Sequence, residues 1–358
     1  MNENQFPASD PTNVTSSGPP PVFAVSTGRC GSTLLSDMLS LHPQVLSLSE
    51  FFGLLLTGPF PEGTLSAQDY WSLLSTPHPF VTSAYRVRVT VEEFLYEPGP
   101  GRRFDATTGI PPIMVAALPH LSSEPDALYT QVRDFVLSLE PAGVATQHRR
   151  LFTWLMHLFG ARVWVERSGF SLRHVPELVE LFPDARFVHL YRDGRECAYS
   201  MSRSGAFRLG AVYTRLQQAL GVNPFVHPVN DSVTVPPELR SLMPDTFDLS
   251  TFEAIELPPE EFGTAWSEQI MTGLDSLERL EPGRLLQFSY EELLVNTPGT
   301  LVRLADFMGR LDAPASWLHK ATGLVSPRSS GWRSLPEEQR RRVDLACRAA
   351  MERLHGQA

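Results

Sequence analysis

Short apolar runs recur along the chain, and most are followed by a segment in which apolar residues return every three or four positions. This alternation of buried strand and amphipathic helix is typical of a parallel sheet covered by helices on both faces. We therefore predict an α/β fold of three layers, built on a parallel sheet of about five strands. The predicted strands cover residues 22–26, 45–48, 162–165, 186–191 and 285–288.

Proline stands at or near the start of several helical segments, where its missing N–H costs nothing. Proline or glycine follows others, where helices commonly stop. The predicted helices cover residues 32–41, 172–181, 194–202, 259–280, 298–308 and 336–354.

Two long stretches interrupt this alternation. Residues 54–150 are rich in proline and aromatic residues, and periodicity at 126–139 and 144–159 predicts a largely helical insert. Residues 207–258 are predicted to be an irregular loop segment. Both are too long for simple connections, so we interpret the insert as an acceptor-binding cap. Residues 1–20 have the composition of a disordered tail, which leaves a single domain over 21–355.

Charge and cysteine usage narrow the class of protein. The formal net charge of -10 argues against a nucleic-acid partner and favours a neutral, cationic or apolar small molecule. The cysteines are too few and too dispersed for a disulfide framework or a zinc site. The first residues lack the blocks of a signal peptide, and no apolar run approaches the ~20 residues of a membrane span. We expect a cytoplasmic protein without a membrane span, and the sequence leaves a homodimer open.

A loop of small residues joins the first strand to the first helix. Its sequence is Ser-Thr-Gly-Arg-Cys-Gly-Ser-Thr, residues 26–33. Backbone N–H groups and the helix N-terminus would face an anion there, although such turns also occur for purely structural reasons. Ser32 stands where a nucleotide-hydrolysing P-loop requires lysine, and Lys320 is the only lysine in the chain. Arg29 supplies the charge beside the loop instead.

The predicted strand 186–191 is also followed by polar residues. Arg192 comes directly after this strand, and Ser200 lies eight positions further on, in the predicted helix. An arginine at the carboxyl end of a strand and a serine two turns into the next helix could meet on one phosphate.

Together, the loop and this strand-to-helix segment resemble the two cofactor-binding elements of the sulfotransferases that use 3'-phosphoadenosine 5'-phosphosulfate (PAPS). Residues 289–293, Ser-Tyr-Glu-Glu-Leu, resemble the family's Tyr-Glu-Asp-Leu element, and residues 331–333 resemble its C-terminal phosphate-contacting segment. The resemblance implies a sulfuryl transfer from PAPS without a metal. The residues it implies for the 5'-phosphosulfate are Arg29, Cys30, Gly31, Ser32 and Thr33; those for the 3'-phosphate and the rest of the cofactor are Arg192, Ser200, Tyr290, Gly331, Trp332 and Arg333.

Glu50 and Arg167 are the remaining candidates for catalysis, with Arg29. Glu50 follows the second strand and lies 21 positions after Arg29. The resemblance implies this interval for a glutamate that acts as the catalytic base. Arg167 stands where many relatives have a lysine, and an arginine can stabilise charge but is a poor proton donor. Either residue could instead serve only as an ion-pair partner.

The sequence leaves three functions open. The first is transfer of a sulfuryl group to a hydroxyl or amine of a small organic acceptor, as in bacterial secondary metabolism. The second is a small-molecule kinase, disfavoured by the missing loop lysine. The third is a catalytically silent nucleotide-binding or scaffold protein that kept the fold.

Overall fold

The computed structural model describes residues 19–222, 235–326 and 330–356. Most of the predicted tail therefore lies outside the described residues. The strands are β1 (Val22–Val25), β2 (Val45–Ser49), β3 (Thr64–Leu65), β4 (Ala142–Gly143), β5 (Val163–Arg167), β6 (Arg186–Tyr191) and β7 (Leu285–Ser289).

The α-helices surround the sheet and fill the insert. They are α1 (Ser32–Ser40), α2 (Ala67–Ser75), α3 (Pro79–Arg86), α4 (Pro112–Val115), α5 (Ala117–Leu121), α6 (Pro125–Leu137), α7 (Val144–Leu158), α8 (Val175–Leu181), α9 (Gly194–Arg203), α10 (Gly205–Leu220), α11 (Leu249–Ala254), α12 (Pro259–Leu277), α13 (Tyr290–Val295), α14 (Thr297–Gly309), α15 (Ala315–Thr322) and α16 (Glu337–His355). Short 3-10 turns lie at Ser171–His174, Pro237–Leu242, Pro244–Thr246 and Trp332–Ser334.

The main sheet has five parallel strands in the order β2-β5-β1-β6-β7, which confirms the predicted α/β fold. Strands β3 and β4 form a separate antiparallel pair within the insert. The central strand β1 is fully buried, and the ring of Phe23 contacts aromatic rings on several sides: Phe52, Trp164, Phe182 and Phe187.

The strand register brings several candidate site residues to one edge of the sheet. Arg167 at the end of β5 pairs with Ala24 of β1 and with Ser49 of β2. On the other side of β1, Val25 pairs with His189 of β6. Because parallel strands share their carboxyl ends, the residues that follow β1, β2, β5 and β6 meet at this edge.

The insert is largely helical, as predicted, and packs its own core. Tyr70 and Trp71 of α2 are buried, and Trp71 lies against Tyr129 of α6 with ring centroids 5.0 Å apart. Several of the aromatic residues that suggested an acceptor surface therefore stabilise the insert itself.

The prediction of an irregular segment over 207–258 is wrong for its first part. Residues 207–220 belong to α10, which buries Leu209, Val212 and Leu216 on one face. Residues 223–234 of that segment lie outside the described residues. The predicted helix at 172–181 is also divided, since residues 171–174 form a 3-10 turn before α8.

Over the described ranges, no helix is both long enough and apolar enough to span a membrane.

Candidate active site

The loop between β1 and α1 turns sharply through three residues with positive φ: Gly28 at 82°, Arg29 at 52° and Gly31 at 92°. A Cβ on Gly31 would lie 2.2 Å from Cδ2 of Tyr290, so glycine is required there for space as well as for conformation. In the described part of the chain, no side chain caps the N-terminus of α1, and its first turn has no acidic residue. The N-terminus of α1, the positive end of the helix dipole, is therefore available to an anion.

The loop's side chains divide between core and surface. Ser32 is buried and Thr33 is exposed. Cys30 is fully buried, and burial raises the pKa of its thiol, so this residue contributes its backbone rather than a thiolate.

Arg29 bridges the loop to α9 and to the insert. Its Nε donates to Oγ of Ser200 at 3.0 Å, and its Nη1 lies 2.8 Å from a carboxylate oxygen of Glu92 and 3.4 Å from one of Glu93. The sequence identified Arg29 as the cation of the loop. Its partners Glu92 and Glu93 belong to no motif and were not predicted.

Arg192 lies on the other side of the same loop. Its Nη1 donates to the carbonyl oxygen of Arg29 at 3.4 Å, and its guanidinium lies 4.7 Å from the centre of the Tyr290 ring. The Nε of Arg192 is buried and has no hydrogen-bond partner within the described residues. Since Ser200 also contacts Arg29, Arg192 and Ser200 both border the loop. A buried donor without an acceptor is rare in proteins and is expected where an anion binds.

The C-terminal segment 330–333 is attached to α9 through Glu196, which sequence reasoning did not find. Glu196 accepts hydrogen bonds from Oγ of Ser330 and, at 3.1 Å, from N of Gly331, and it lies 3.6 Å from Nη2 of Arg192. Its position four residues after Arg192 in the sequence is the signal that could have identified the pair.

Trp332 and Arg333 lie next to this attachment. The guanidinium of Arg195 is 4.6 Å from the centre of the Trp332 ring, and that of Arg333 is 6.0 Å from the same ring. Arg333 is exposed. The structure thus places residues 331–333 against the start of α9, near Arg192.

Glu50 and Arg167 form a buried ion pair at the ends of β2 and β5. Arg167 donates through Nη1 to Oε1 of Glu50 and through Nη2 to Oγ of Ser49. The backbone N–H of Gly169 lies 3.1 and 2.9 Å from the two oxygens of Glu50. Glu50 itself has a φ of 55°, in the left-handed region. The sequence did not predict this pair: the hydrogen-bond partners of the Glu50 side chain are Arg167 and Gly169, whereas those of the Arg29 side chain are Ser200 and the two insert glutamates.

Glu166 precedes Arg167 on β5 and is fully buried. It accepts hydrogen bonds from N of Phe52 at 3.2 Å and from Oγ of Ser168. Burial is the main cause that raises the pKa of Glu166 to about 8, so its carboxyl group is protonated at neutral pH.

His148 and His120 are two histidines of the insert. His148 is buried between the hydroxyl of Tyr70 and the carbonyl of Pro59, and burial lowers its pKa to about 4. His120 bonds Oγ of Ser40 at 2.9 Å, and burial followed by the charge of Arg167 lowers its pKa to about 4 as well. His148 belongs to the core of the insert, whereas His120 lies within the electrostatic reach of Arg167.

Solved structures similar to this chain include three sulfotransferases. The sulfotransferase domain from the curacin biosynthetic pathway is 16% identical over 94% of this chain and 98% of its own, with a TM-score of 0.47. The sulfotransferase domain of the Synechococcus PCC 7002 olefin synthase is 17% identical over 94% and 96%, with a TM-score of 0.46. A sulfotransferase from Mycobacterium avium is 14% identical over 92% and 76%, with a TM-score of 0.42. No curated protein matches the chain.

A family model matches the part of the chain that carries Arg192 and Ser200. The match covers residues 139–233, and the model describes the sulfotransferase family. This stretch contains β5, β6 and α9, and with them Arg167, Arg192 and Ser200. Over these residues, the chain is similar to the sulfotransferase family.

Proposed function

We propose that this protein is a sulfotransferase that takes its sulfuryl group from PAPS and places it on a hydroxyl or amine of a small organic acceptor. The observation that carries the proposal is the buried, unpartnered Nε of Arg192 beside the loop that Arg29 and Ser200 border. A 3'-phosphate would supply the missing acceptor for this donor, since a phosphate dianion binds a guanidinium through parallel hydrogen bonds. The 5'-phosphosulfate would then lie against the open N-terminus of α1.

The residues near the loop suit a PAPS molecule bound along this edge. Arg192, Ser200 and the segment 331–333 converge on one side of the loop, the side assigned to the 3'-phosphate. Tyr290 lies between Arg192 and Gly31 and holds both in position. Arg29 is the cation that can turn from its glutamate partners to the phosphosulfate when the ligand enters.

The reaction is proposed as an in-line displacement without a metal. The acceptor oxygen or nitrogen bonds to sulfur while the bond from sulfur to the phosphate oxygen breaks, and adenosine 3',5'-bisphosphate leaves with the electron pair. Such a transition state is loose, so positioning and stabilisation of the departing oxygen contribute most of the catalysis. Arg29 and the loop N–H groups would stabilise the charge that develops on this oxygen, and Arg167 adds fixed positive charge nearby. Glu50 is the residue that the sequence assigns to receive the acceptor's proton.

The acceptor is proposed to approach from the insert, residues 54–150. Glu92 and Glu93 of the insert reach the side chain of Arg29, so this part of the chain lines the region beside the loop. The acidic residues there favour a neutral or cationic acceptor over a polyanion.

A thermal-shift comparison tests the cofactor. Adenosine 3',5'-bisphosphate should raise the unfolding temperature without magnesium, because a ligand that binds only the folded state stabilises it. Stabilisation by magnesium-ATP alone would instead indicate a kinase.

Labelled PAPS, incubated with the protein and an extract of its own source, tests the transfer. One metabolite should gain the label. A protein that binds the bisphosphate but labels nothing would be the silent nucleotide-binding protein.

A further inference from the structure

Two half-buried aromatic side chains, Phe170 and Phe207, lie together beside the loop that joins β1 to α1. Their ring centroids are 5.1 Å apart, and the ring planes are inclined by 42°. Neither side chain is needed for the cofactor contacts or the proton transfer proposed above.

Phe207 lies in the first turn of α10 and reaches the loop. A Cβ on Gly28 would overlap with Cζ of the Phe207 ring and would lie 3.3 Å from its Cε1. The edge of the ring therefore rests on the backbone of Gly28. Since Gly28 directly precedes Arg29, the ring borders the part of the loop that is proposed to hold the phosphosulfate.

Phe170 lies between a contact with Glu50 and a contact with the start of the loop. On one side, the N–H of Gly169 donates to the two oxygens of Glu50 at 3.1 and 2.9 Å. On the other side, Oγ of Ser171 accepts a hydrogen bond from N of Ser26 at 3.3 Å. The position of Phe170 is thus fixed relative to both the loop and the carboxylate.

The backbone of Phe170 has a left-handed conformation, with φ at 67° and ψ at 8°. Glycine adopts this conformation without the steric cost that a bulky side chain incurs. Strained residues of this kind persist where neighbouring contacts hold them, and they cluster at functional sites. We therefore expect the Phe170 ring to have a function that glycine could not supply.

The surroundings of the Phe170 ring leave part of it accessible. The guanidinium of Arg173, an exposed residue, lies 5.3 Å from the centre of the ring. This cation–π contact helps to fix the ring's orientation. Because Phe170 and Phe207 are only half-buried, part of the surface of each ring remains open to a ligand.

We propose that Phe170 and Phe207 form an aromatic wall of the acceptor site, and that the acceptor carries its hydroxyl on or next to a flat aromatic ring. This inference rests on the proposed sulfotransferase function and keeps Glu50 as the proton acceptor. In the transfer, the hydroxyl oxygen bonds to sulfur, its proton moves to Glu50, and adenosine 3',5'-bisphosphate leaves with the electron pair.

The place of the reaction determines which part of the acceptor meets the aromatic wall. The hydroxyl must lie between the loop, which holds the sulfuryl donor, and Glu50, which receives the proton. Phe207 borders the loop, and Phe170 follows the residue that binds Glu50. The carbon skeleton next to the hydroxyl is therefore the part that contacts the two rings.

An aromatic ring gains more from this wall than a saturated ring of similar size. Aromatic rings pair in offset or edge-to-face arrangements, and the gain exceeds that of the buried area alone. A cyclohexane ring buries a similar area but has no π system. The side chains of Phe170 and Phe207 carry no charge and no hydrogen-bonding group, so the wall selects for shape and aromatic character.

The test compares benzyl alcohol with cyclohexylmethanol, two primary alcohols that differ only in the ring. Full-length protein is supplied with sulfur-labelled PAPS and one alcohol, and kcat/KM is measured from the labelled sulfate ester. The wild type should prefer benzyl alcohol. Its ratio of the two kcat/KM values should exceed that of the double variant Phe170→Leu, Phe207→Leu by about two- to twelvefold, with each single variant in between.

The ratio is measured within one preparation, so a loss of folded protein or of cofactor affinity lowers both rates alike and cancels. An intrinsic difference in reactivity between the two alcohols is common to all variants. Phe159→Leu is the matched control, because Phe159 lies between α7 and the amino end of β5, at the opposite edge of the sheet. This variant should keep the wild-type ratio.

Three results overturn the proposal: a wild type that prefers cyclohexylmethanol or uses both alcohols equally, a double variant with the wild-type ratio, or a wild type that binds adenosine 3',5'-bisphosphate but sulfates neither alcohol. The wild-type preference decides the matter even if a Leu variant does not fold. Calorimetry separates these results from failure of the proposed function, because a wild type that does not bind the bisphosphate would show that the function itself is wrong.

Discussion

The guanidinium of Arg192 lies 4.7 Å from the centre of the Tyr290 ring, and the same ring occupies the space that a side chain on Gly31 would need. Tyr290 thus links the loop to Arg192. An arginine held over an aromatic face keeps its orientation before the ligand arrives, so less freedom is lost on binding.

We expect Tyr290→Leu to weaken binding of adenosine 3',5'-bisphosphate by about 0.5–2 kcal/mol, the range of a cation–π contact. Tyr290→Phe keeps the ring and should bind almost as the wild type does. Calorimetry on both variants gives the comparison, and equal affinities for the Leu and Phe variants would show that the ring does not orient Arg192.

The buried pair of Arg167 and Glu50 makes a prediction about stability. Arg167→Met leaves the Glu50 carboxylate buried without its cation, which should cost about 3–5 kcal/mol in the free energy of unfolding. The double variant Glu50→Gln, Arg167→Met removes both charges and should recover much of that loss. Urea unfolding measures both, and a double variant no more stable than Arg167→Met would contradict the pairing.

Glu166 predicts a pH dependence of stability. Because burial raises its pKa to about 8, the folded protein keeps a proton that the unfolded chain releases above the ordinary glutamate value. Its contribution to stability is therefore complete below the unfolded pKa of about 4.3 and is lost as the pH rises toward the folded value.

Glu166→Gln imitates the protonated group, so this variant should gain stability relative to the wild type between those two pH values, by a few kcal/mol at most. Glu180→Gln, an exposed carboxylate on α8, is the control. Parallel pH curves for the wild type and Glu166→Gln would show that Glu166 ionises normally.

The strands could be predicted from the sequence because each is a short apolar run: β6 agrees with the prediction, and β1, β2 and β7 differ from it by one residue at the carboxyl end. Strand β5 differs more from the prediction, because its apolar run stops at Val165 but the strand continues to Arg167. Glu166 and Arg167 remain buried there because hydrogen bonds and an ion pair from β2 and the following loop compensate their polar groups.

Helix α10 was missed for a different reason. Gly205 and Gly210 lower the intrinsic helix propensity of the segment, and its buried face is formed by only a few apolar residues. Packing against the turn at Thr90, which lies more than a hundred positions away in the chain, was not visible in a local pattern.

The residues of the candidate site also differ in whether the sequence could identify them. Arg29, Arg192 and Ser200 could be located because strand ends and helix starts mark them. Glu93 could not, because the insert has no recognisable motif and its contact with Arg29 depends on tertiary packing.

The most direct test of the account is calorimetry of two nucleotides, adenosine 3',5'-bisphosphate and adenosine 5'-phosphate, on the wild type and on Arg192→Ala without magnesium. The 3'-phosphate is the only difference between these ligands. The wild type should prefer the bisphosphate by about 2–4 kcal/mol, and Arg192→Ala should lose most of that preference while its affinity for adenosine 5'-phosphate stays the same. Arg203→Ala, an exposed arginine on the same helix α9, should behave as the wild type. Equal affinity of the wild type for the two nucleotides, or an unchanged preference in Arg192→Ala, would contradict the assignment of this site to PAPS.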